Sequence, residues 1–341
     1  MRQGTVASLL ATCAAVHISA YPAEPDEEAP PPLPATPALA AEPPADAPEP
    51  PEALPPELDE LLESTRRSVR STTEWLARAV DGVFGDKSFD QGGKVSNGRL
   101  DLILHRRQGV PQKIDLRLNA NFRLPNLESH VQFFVGSDDE RDIVTDNPQA
   151  FSEQNRVLES RPIERSFFAG IKMPLLEYFE FRLGVHGLLH PFAQASFNKG
   201  WQVTEADVFE FRETLFWTVD DHLGSTTAGS YAHAFSPTLA LRWLNSATIT
   251  RTTEKFAWNS ILGAYRTFGP LRVLALEGLL SGVQGSGVGV SEYGVQVRWE
   301  QPIHRTWLLG EIGVGHFWPR SNALSNRGRA WGVGANLKMK F

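Results

Sequence analysis

The chain has 341 residues, 33 of them basic and 40 acidic, a net charge of −7 and a mean hydropathy of −0.25. So mild an acidic balance, with no dense basic patch, argues against nucleic acid as a partner. No stretch approaches the roughly 18 uninterrupted apolar residues of a membrane-crossing helix, yet strands that alternate apolar and polar residues would leave the same modest average.

Residues 1–20, "MRQGTVASLLATCAAVHISA", carry one Arg, an apolar stretch from about Val6 and a small residue at Ala20, the pattern of a secretory signal peptide. The only cysteine, Cys13, lies inside it. Thr12 is a poor residue before a lipidated Cys, so a lipid anchor is not expected. Cleavage after Ala20 would leave a cysteine-free chain that can cross an oxidising compartment.

Residues 21–56 hold 14 of the 24 prolines, with Asp and Glu but no Lys or Arg. Such a segment cannot bury a core and reads as an extended, disordered tether. Residues 57–84 read as an amphipathic helix with an acidic first turn (Glu57, Asp59, Glu60), which suits the helix dipole. Leu58, Leu62, Thr65, Val69, Thr72, Leu76, Ala79 and Val83 recur at a 4-3-4-3 spacing, the period of a weak coiled-coil seam. Packing at the mouth of the following domain, self-association and capture of a partner all fit that seam.

From about Asn97 the period changes to two. In "KIDLRLNANFRL", Ile114, Leu116, Leu118, Ala120, Phe122 and Leu124 share one face, and Lys113, Asp115, Arg117, Asn119, Asn121 and Arg123 the other. The pattern recurs with Glu180, Arg182 and His186 opposite Phe179, Phe181, Leu183 and Val185. It recurs again with Gln296, Arg298 and Glu300 opposite Tyr293, Val295, Val297 and Trp299. At the end, Lys338 and Lys340 stand opposite Trp331, Val333, Ala335, Leu337, Met339 and Phe341. Weaker alternation marks 97–106, 129–137, 165–173, 191–199, 208–218, 225–235, 238–249, 256–267, 271–281 and 305–318. Fourteen strands result, or twelve if the short "LLHP" link at 188–191 is not a turn.

Tight links (125–128, 174–177, 236–237, 269–270, 301–304) alternate with longer or more polar ones (138–164, 219–224, 250–255, 282–292, 319–328). Short turns at one end and long loops at the other are the habit of membrane-spanning barrels. Trp217, Trp258, Trp318 and Trp331 sit beside the longer links, and Trp299 and Trp307 beside a tight one, as interfacial girdles would place them. Trp243 is mid-strand. Glu213 shares parity with Phe209, Phe211, Leu215 and Trp217. A carboxylate facing lipid there implies either a bulge or a wrong strand.

On these features residues 97–341 resemble Gram-negative outer-membrane β-barrel proteins: an all-β, antiparallel transmembrane barrel preceded by a tether and a periplasmic helix. The resemblance is sharpest in the last strand, with Phe341 preceded by Met339 and Leu337 at alternate positions. It implies that these residues form the signal read by the barrel-insertion machinery. It also implies outer-membrane lipids and lipopolysaccharide as surroundings, and a periplasmic N-terminal region. It names no cargo.

The inward face is expected to carry Arg99, Asp101, Lys113, Asp115, Arg117, Asn119, Asn121, Arg123, Glu180, Arg182, His186, Glu210, Arg212, Gln296, Arg298, Glu300, Lys338 and Lys340. Charges of both signs suit a pore for small polar or charged solutes. They also suit a closed barrel in which they pair and hold the wall. Two other functions remain open: an adaptor engaging envelope partners through 22–84, and a lipid hydrolase using Asp220, Asp221, His222 and Ser225. Adjacency in sequence is not triad geometry, and no catalysis is expected. No cofactor and no metal site are expected, since His186 and His190 lack companion ligands. The acidic run 137–142 reads as loop, with divalent-cation and lipopolysaccharide binding as its sharper alternative. "GSGVGVSEYG" lacks the Lys and helix of a phosphate loop.

Overall fold

The computed structural model describes residues 55–84, 93–123, 131–139, 145, 165–187, 189–269, 271–285, 287–320 and 326–341. The signal peptide, Cys13, nearly all of the tether, the 125–128 turn and most of the 138–164 link lie outside these residues.

One helix, α1 (Pro56–Phe84), precedes the strands. The strands are β1 (Lys94–Arg107), β2 (Lys113–Arg123), β3 (Gln132–Asp139), β4 (Arg165–Leu176), β5 (Phe179–His186), β6 (His190–Gln202) and β7 (Asp207–Thr218). They continue with β8 (His222–Ser236), β9 (Leu239–Thr250), β10 (Phe256–Thr267), β11 (Val273–Gln284), β12 (Glu292–His304), β13 (Leu308–Pro319) and β14 (Ala330–Lys340). Each pairs antiparallel with its sequence neighbours, and β14 closes on β1 to complete a 14-strand barrel. The link at 188–191 is a true turn, since Gly187 and Leu189 both take positive φ (55° and 70°) between β5 and β6. The twelve-strand alternative is thereby excluded.

The end that holds the start of β1 and the end of β14 is here the near end. All four register shifts lie in strand segments beside it: Val95/Asn97, Pro174/Leu176, Ala234/Ser236 and Pro302/His304. Pro174 and Pro302 have no N–H for the ladder, and a bulge beside each is where a strand tolerates that loss. The sequence reading of 301–304 as a turn is corrected: these residues extend β12, and the reversal is at 305–307.

The outer wall is apolar, with Ile114, Leu276, Ile312 and Val333 each more than half exposed in the bare chain. Alternate residues point inward, where Asp115, Arg117, Glu277, Gln296 and Lys338 are buried. This is the dyad pattern of a lipid-facing barrel. Glu213 is resolved by the register. Neither a bulge nor a misplaced strand occurs, since β7 pairs without a shift on both sides. The carboxylate faces outward and accepts hydrogen bonds from Ser225 and from Thr227 (2.6 Å) on β8.

Helix α1 neither enters the lumen nor stands apart from the barrel. It lies along the outer wall at the near end. Leu62 and Val69 pack on the cluster of Trp307, Leu308 and Met339, which Leu100 and Leu337 also join, and Ala77 packs with Ala120, Phe122 and Phe133. Burial along the strands records its position. On β2 exposure falls from 65% at Ile114 and 54% at Leu116 to 0% at Ala120 and Phe122. On β14 it falls from 58% at Trp331 to 7% at Met339. Polar contacts fix the helix at the rim. Asp59 meets His304 (2.9 Å) and Glu63 meets Arg305 (2.7 Å). Arg66 donates to the Lys340 carbonyl (3.2 Å) and lies over the Trp307 ring.

Candidate functional site

The barrel interior divides into two layers, and the alternation of side chains in each strand places them. Toward the near end, on β10–β14, a charged network crosses five strands. Glu277 accepts from Arg298 (2.7 and 2.8 Å), Gln296 (2.7 Å) and Tyr265 (2.9 Å). Arg298 also donates to Glu311 (2.9 Å), and Lys338 donates to Glu311 (2.8 Å) and Glu300 (2.6 Å). Three carboxylates against two cations leave one negative charge. Glu277 is fully buried, and these donors surround its carboxylate. On the adjoining strands Arg99 pairs with Asp101 (2.8 Å) and Arg117 with Asp138 (2.7 Å).

The opposite wall is more open. Lys172, Glu180 and Arg182 form a chain (2.5 and 2.6 Å) across β4 and β5. Glu210 accepts from Arg242 (3.0 Å) and Ser230 (2.9 Å). The side chains of Glu210 and Arg242 are 53% and 37% exposed, against none for Glu277. Glu210 and Arg242 are therefore the most accessible of these paired charges, while Lys172, Glu180 and Arg182 are covered to about the same degree as Arg99, Asp138 and Glu300.

Toward the far end of β5–β11 the inward residues are buried and include no Asp, Glu, Lys or Arg: His186, Gln194, Thr214, Thr226 and Ser246, with an apolar cluster of Leu244, Ile261, Leu279 and Phe317, whereas on β1–β3 and β12 the far half carries Arg107, Lys113, Asp115, Arg117, Asp138 and Glu292. Phe134, Phe168 and Phe192 form a second group. The rings lie against the wall because glycines on neighbouring strands make room. A Cβ on Gly294 would come within 2.2 Å of Phe317, and one on Gly224 within 2.3 Å of Phe216. Arg107 on β1 reaches Glu292 on β12 across the two intervening strands, and its guanidinium lies over the Phe317 ring.

The structure places Arg99, Asp101, Lys113, Asp115, Arg117, Asn119, Asn121 and Arg123 on the inward parity of β1 and β2. Glu180, Arg182, His186, Glu210, Arg212, Gln296, Arg298, Glu300 and Lys338 share the inward parity of their strands. Lys340, directly opposite Arg99, shares that parity and is exposed at the barrel end, where its carbonyl is held by Arg66. Trp217, Trp258, Trp318 and Trp331 take the outward parity near strand ends, with Trp318 stacked on Tyr293, while Trp299 faces outward from the middle of β12, since 301–304 extend that strand. Trp307 departs from the girdle, because α1 covers it and leaves 6% exposed. Trp243 faces outward and donates to Ser260 (3.0 Å). Phe341 lays its ring over Gly98 and donates its N–H to the Gly98 carbonyl (3.0 Å), while Met339 and Leu337 pack under α1.

Sequence reasoning missed Lys172, Arg242, Glu277 and Glu311. The missed signal was parity within weakly alternating strands, such as Glu277 amid "VLALEGLL". The 137–142 run is corrected in part, since Ser137, Asp138 and Asp139 end β3, and the rest lies outside the described residues. Ser225 donates to Glu213, and no hydrogen bond joins it to Asp220, Asp221 or His222. The rings of His186 and His190 are 5.5 Å apart, and among the described residues no group of three metal-ligating side chains occurs.

No family model and no curated protein matches the sequence. Among solved structures the chain is similar to an anion-selective porin from Comamonas acidovorans (9% identity, TM-score 0.43, covering 73% of this chain and 100% of that one). It is similar also to OmpT of Vibrio cholerae (8%, TM-score 0.41, 73% and 98%) and to the KdgM porin (9%, TM-score 0.35, 71% and 99%). Independently of those likenesses, closed strands with an apolar outer wall and a charged interior give this chain the architecture of an outer-membrane β-barrel.

Proposed function

We propose that the protein is a gated outer-membrane pore for small polar or charged solutes, with its near end in the periplasm. The observation that supports this reading is the uneven lumen. The paired charges Glu210 and Arg242 stay accessible on β7 and β9 toward the near end, while the far halves of β6–β9 bury uncharged Gln194, Thr214, Thr226 and Ser246. A wall that passes from accessible charge to buried uncharged side chains admits ions and retards them where hydration must be shed. The fixed network on β10–β14 acts as the rigid wall against which the other side can move. Purified protein in planar lipid bilayers should show conductance steps. A complete lack of conductance, with folding proved by heat-modifiable gel mobility, would remove the pore.

A further inference from the structure

Helix α1 presents three differently coloured flanks, and only one of them is explained by the barrel. The flank of Leu62, Val69, Thr73 and Ala77 is covered by the wall. The helix spans β13, β14, β1, β2 and β3 between Asp59 and Ala77. Eighteen residues rise about 27 Å. Four strand spacings crossed at the usual barrel tilt amount to about 25 Å along a rim. The two lengths agree, so the axis of α1 runs parallel to the rim, which in a spanning barrel is the membrane plane.

On one side of the contact line lie Glu60, Arg67, Arg70 and Glu74, the last two paired at 3.0 Å. This is the side from which Glu63 and Arg66 reach the rim at Arg305 and Lys340. On the other side and the outer crest lie Leu58, Leu61, Thr65, Thr72 and Trp75, with Leu61 58% and Trp75 66% exposed. That apolar flank adjoins the lipid-facing wall. A groove of about 280 Å³ between Leu102, Leu104, Ile312, Ala335 and Leu337 opens on that wall, and its Leu337 also packs in the cluster that α1 covers. A helix parallel to the membrane, with an apolar flank toward hydrocarbon and a charged flank toward water, is the arrangement of an interfacial helix, and an exposed Trp at that level is its usual anchor.

We infer that α1 is embedded in the lipid leaflet at the barrel's near end, its partner being the phospholipid surface that surrounds the barrel rather than a second protein. Continuity of the apolar flank with the barrel's own lipid-facing belt selects this occupant.

The test uses the full chain with Cys13→Ser and single cysteines at 61, 75, 60 or 67, spin-labelled and folded into vesicles of phosphatidylethanolamine and phosphatidylglycerol. Folding is checked by heat-modifiable mobility. The ratio of oxygen to nickel-chelate collision rates should be high at 61 and 75 and low at 60 and 67. Equal nickel access at all four positions would mean a helix bathed in water and would overturn the inference. Spin–spin broadening at 61 and 75 that vanishes on dilution with unlabelled protein would mean a second copy on this flank, and would overturn it too. In a second variant, Leu61→Asp with the label at 75, the oxygen preference at 75 should be lost while the barrel stays folded. Its retention would also count against lipid contact through this flank.

Discussion

Glu213 sits at the middle of β7 on the lipid side, and its environment makes a prediction of sign. A charged side chain at the bilayer midplane costs about 2–4 kcal/mol for Arg or Lys and less for a carboxylate. Here two hydroxyls, Ser225 and Thr227, donate to it. At the low end of the roughly 1.5–3 kcal/mol of a hydrogen bond to a charged group, the two together contribute about 3 kcal/mol. The pair therefore offsets the cost, and the three residues together come out close to neutral. Removing the acceptor and removing the donors should then act oppositely. Glu213→Leu should leave stability unchanged or raise it by about 1 kcal/mol. Ser225→Ala with Thr227→Val leaves the carboxylate bare and should cost about 2–4 kcal/mol. The triple variant should return to at least the starting stability, because the double-mutant penalty exists only while the carboxylate is there. Urea unfolding of the vesicle-embedded barrel, followed by Trp emission and extrapolated linearly, measures all three. A loss above about 1 kcal/mol from Glu213→Leu alone would refute the reasoning, since it would mean that the carboxylate serves something outside its two donors.

Gly294→Val drives a side chain into the Phe317 ring and should cost about 1–3 kcal/mol, with recovery in a Phe317→Ala background. Lys338→Met strands Glu300, leaves Glu311 to Arg298 alone and makes the β10–β14 network one charge more negative. Reversal potentials in a salt gradient should shift toward cation preference, and an unchanged potential would place the ion path away from this network. Phe341→Ala removes the ring over Gly98 at the closing seam, so the yield of heat-modifiable barrel should fall more than the unit conductance of the barrels that form. Equal losses in both would contradict a role confined to closure.

The barrel was legible in the sequence wherever one face was wholly polar. On β2 and on the near half of β12 the alternation is unbroken, and the residues read as inward point inward. It blurred where the lumen itself is apolar. Trp243–Leu244, Ile261–Leu262, Leu279–Leu280 and Phe317–Trp318 are adjacent apolar pairs in which one member faces lipid and the other the interior. A period-two reading sees only an interrupted pattern there. The carriers of the charged network were hidden in the same strands: Glu277 and Glu311 are single acids among apolar neighbours, and their partners come from other strands. The 4-3 spacing of α1 was real, but its meaning was not in the helix. Of its seam, Leu62 and Val69 meet the wall, while Leu58, Thr65 and Thr72 do not. The contact stripe drifts because a straight helix crosses tilted strands instead of coiling about a twin.

A barrel of staves is joined by turns everywhere except between its first and last strand. At β1 and β14 only hydrogen bonds hold the wall, and this is the junction that α1 crosses. Leu62 and Val69 pack on the cluster of Trp307, Leu308 and Met339, against which Leu100 of β1 and Leu337 of β14 also pack, and Arg66 grips the last carbonyl of β14. The helix thus works as a hoop over the one split in the cask. It can be fitted only after the two strands have met, and any sideways parting of the wall at that split must lift it first.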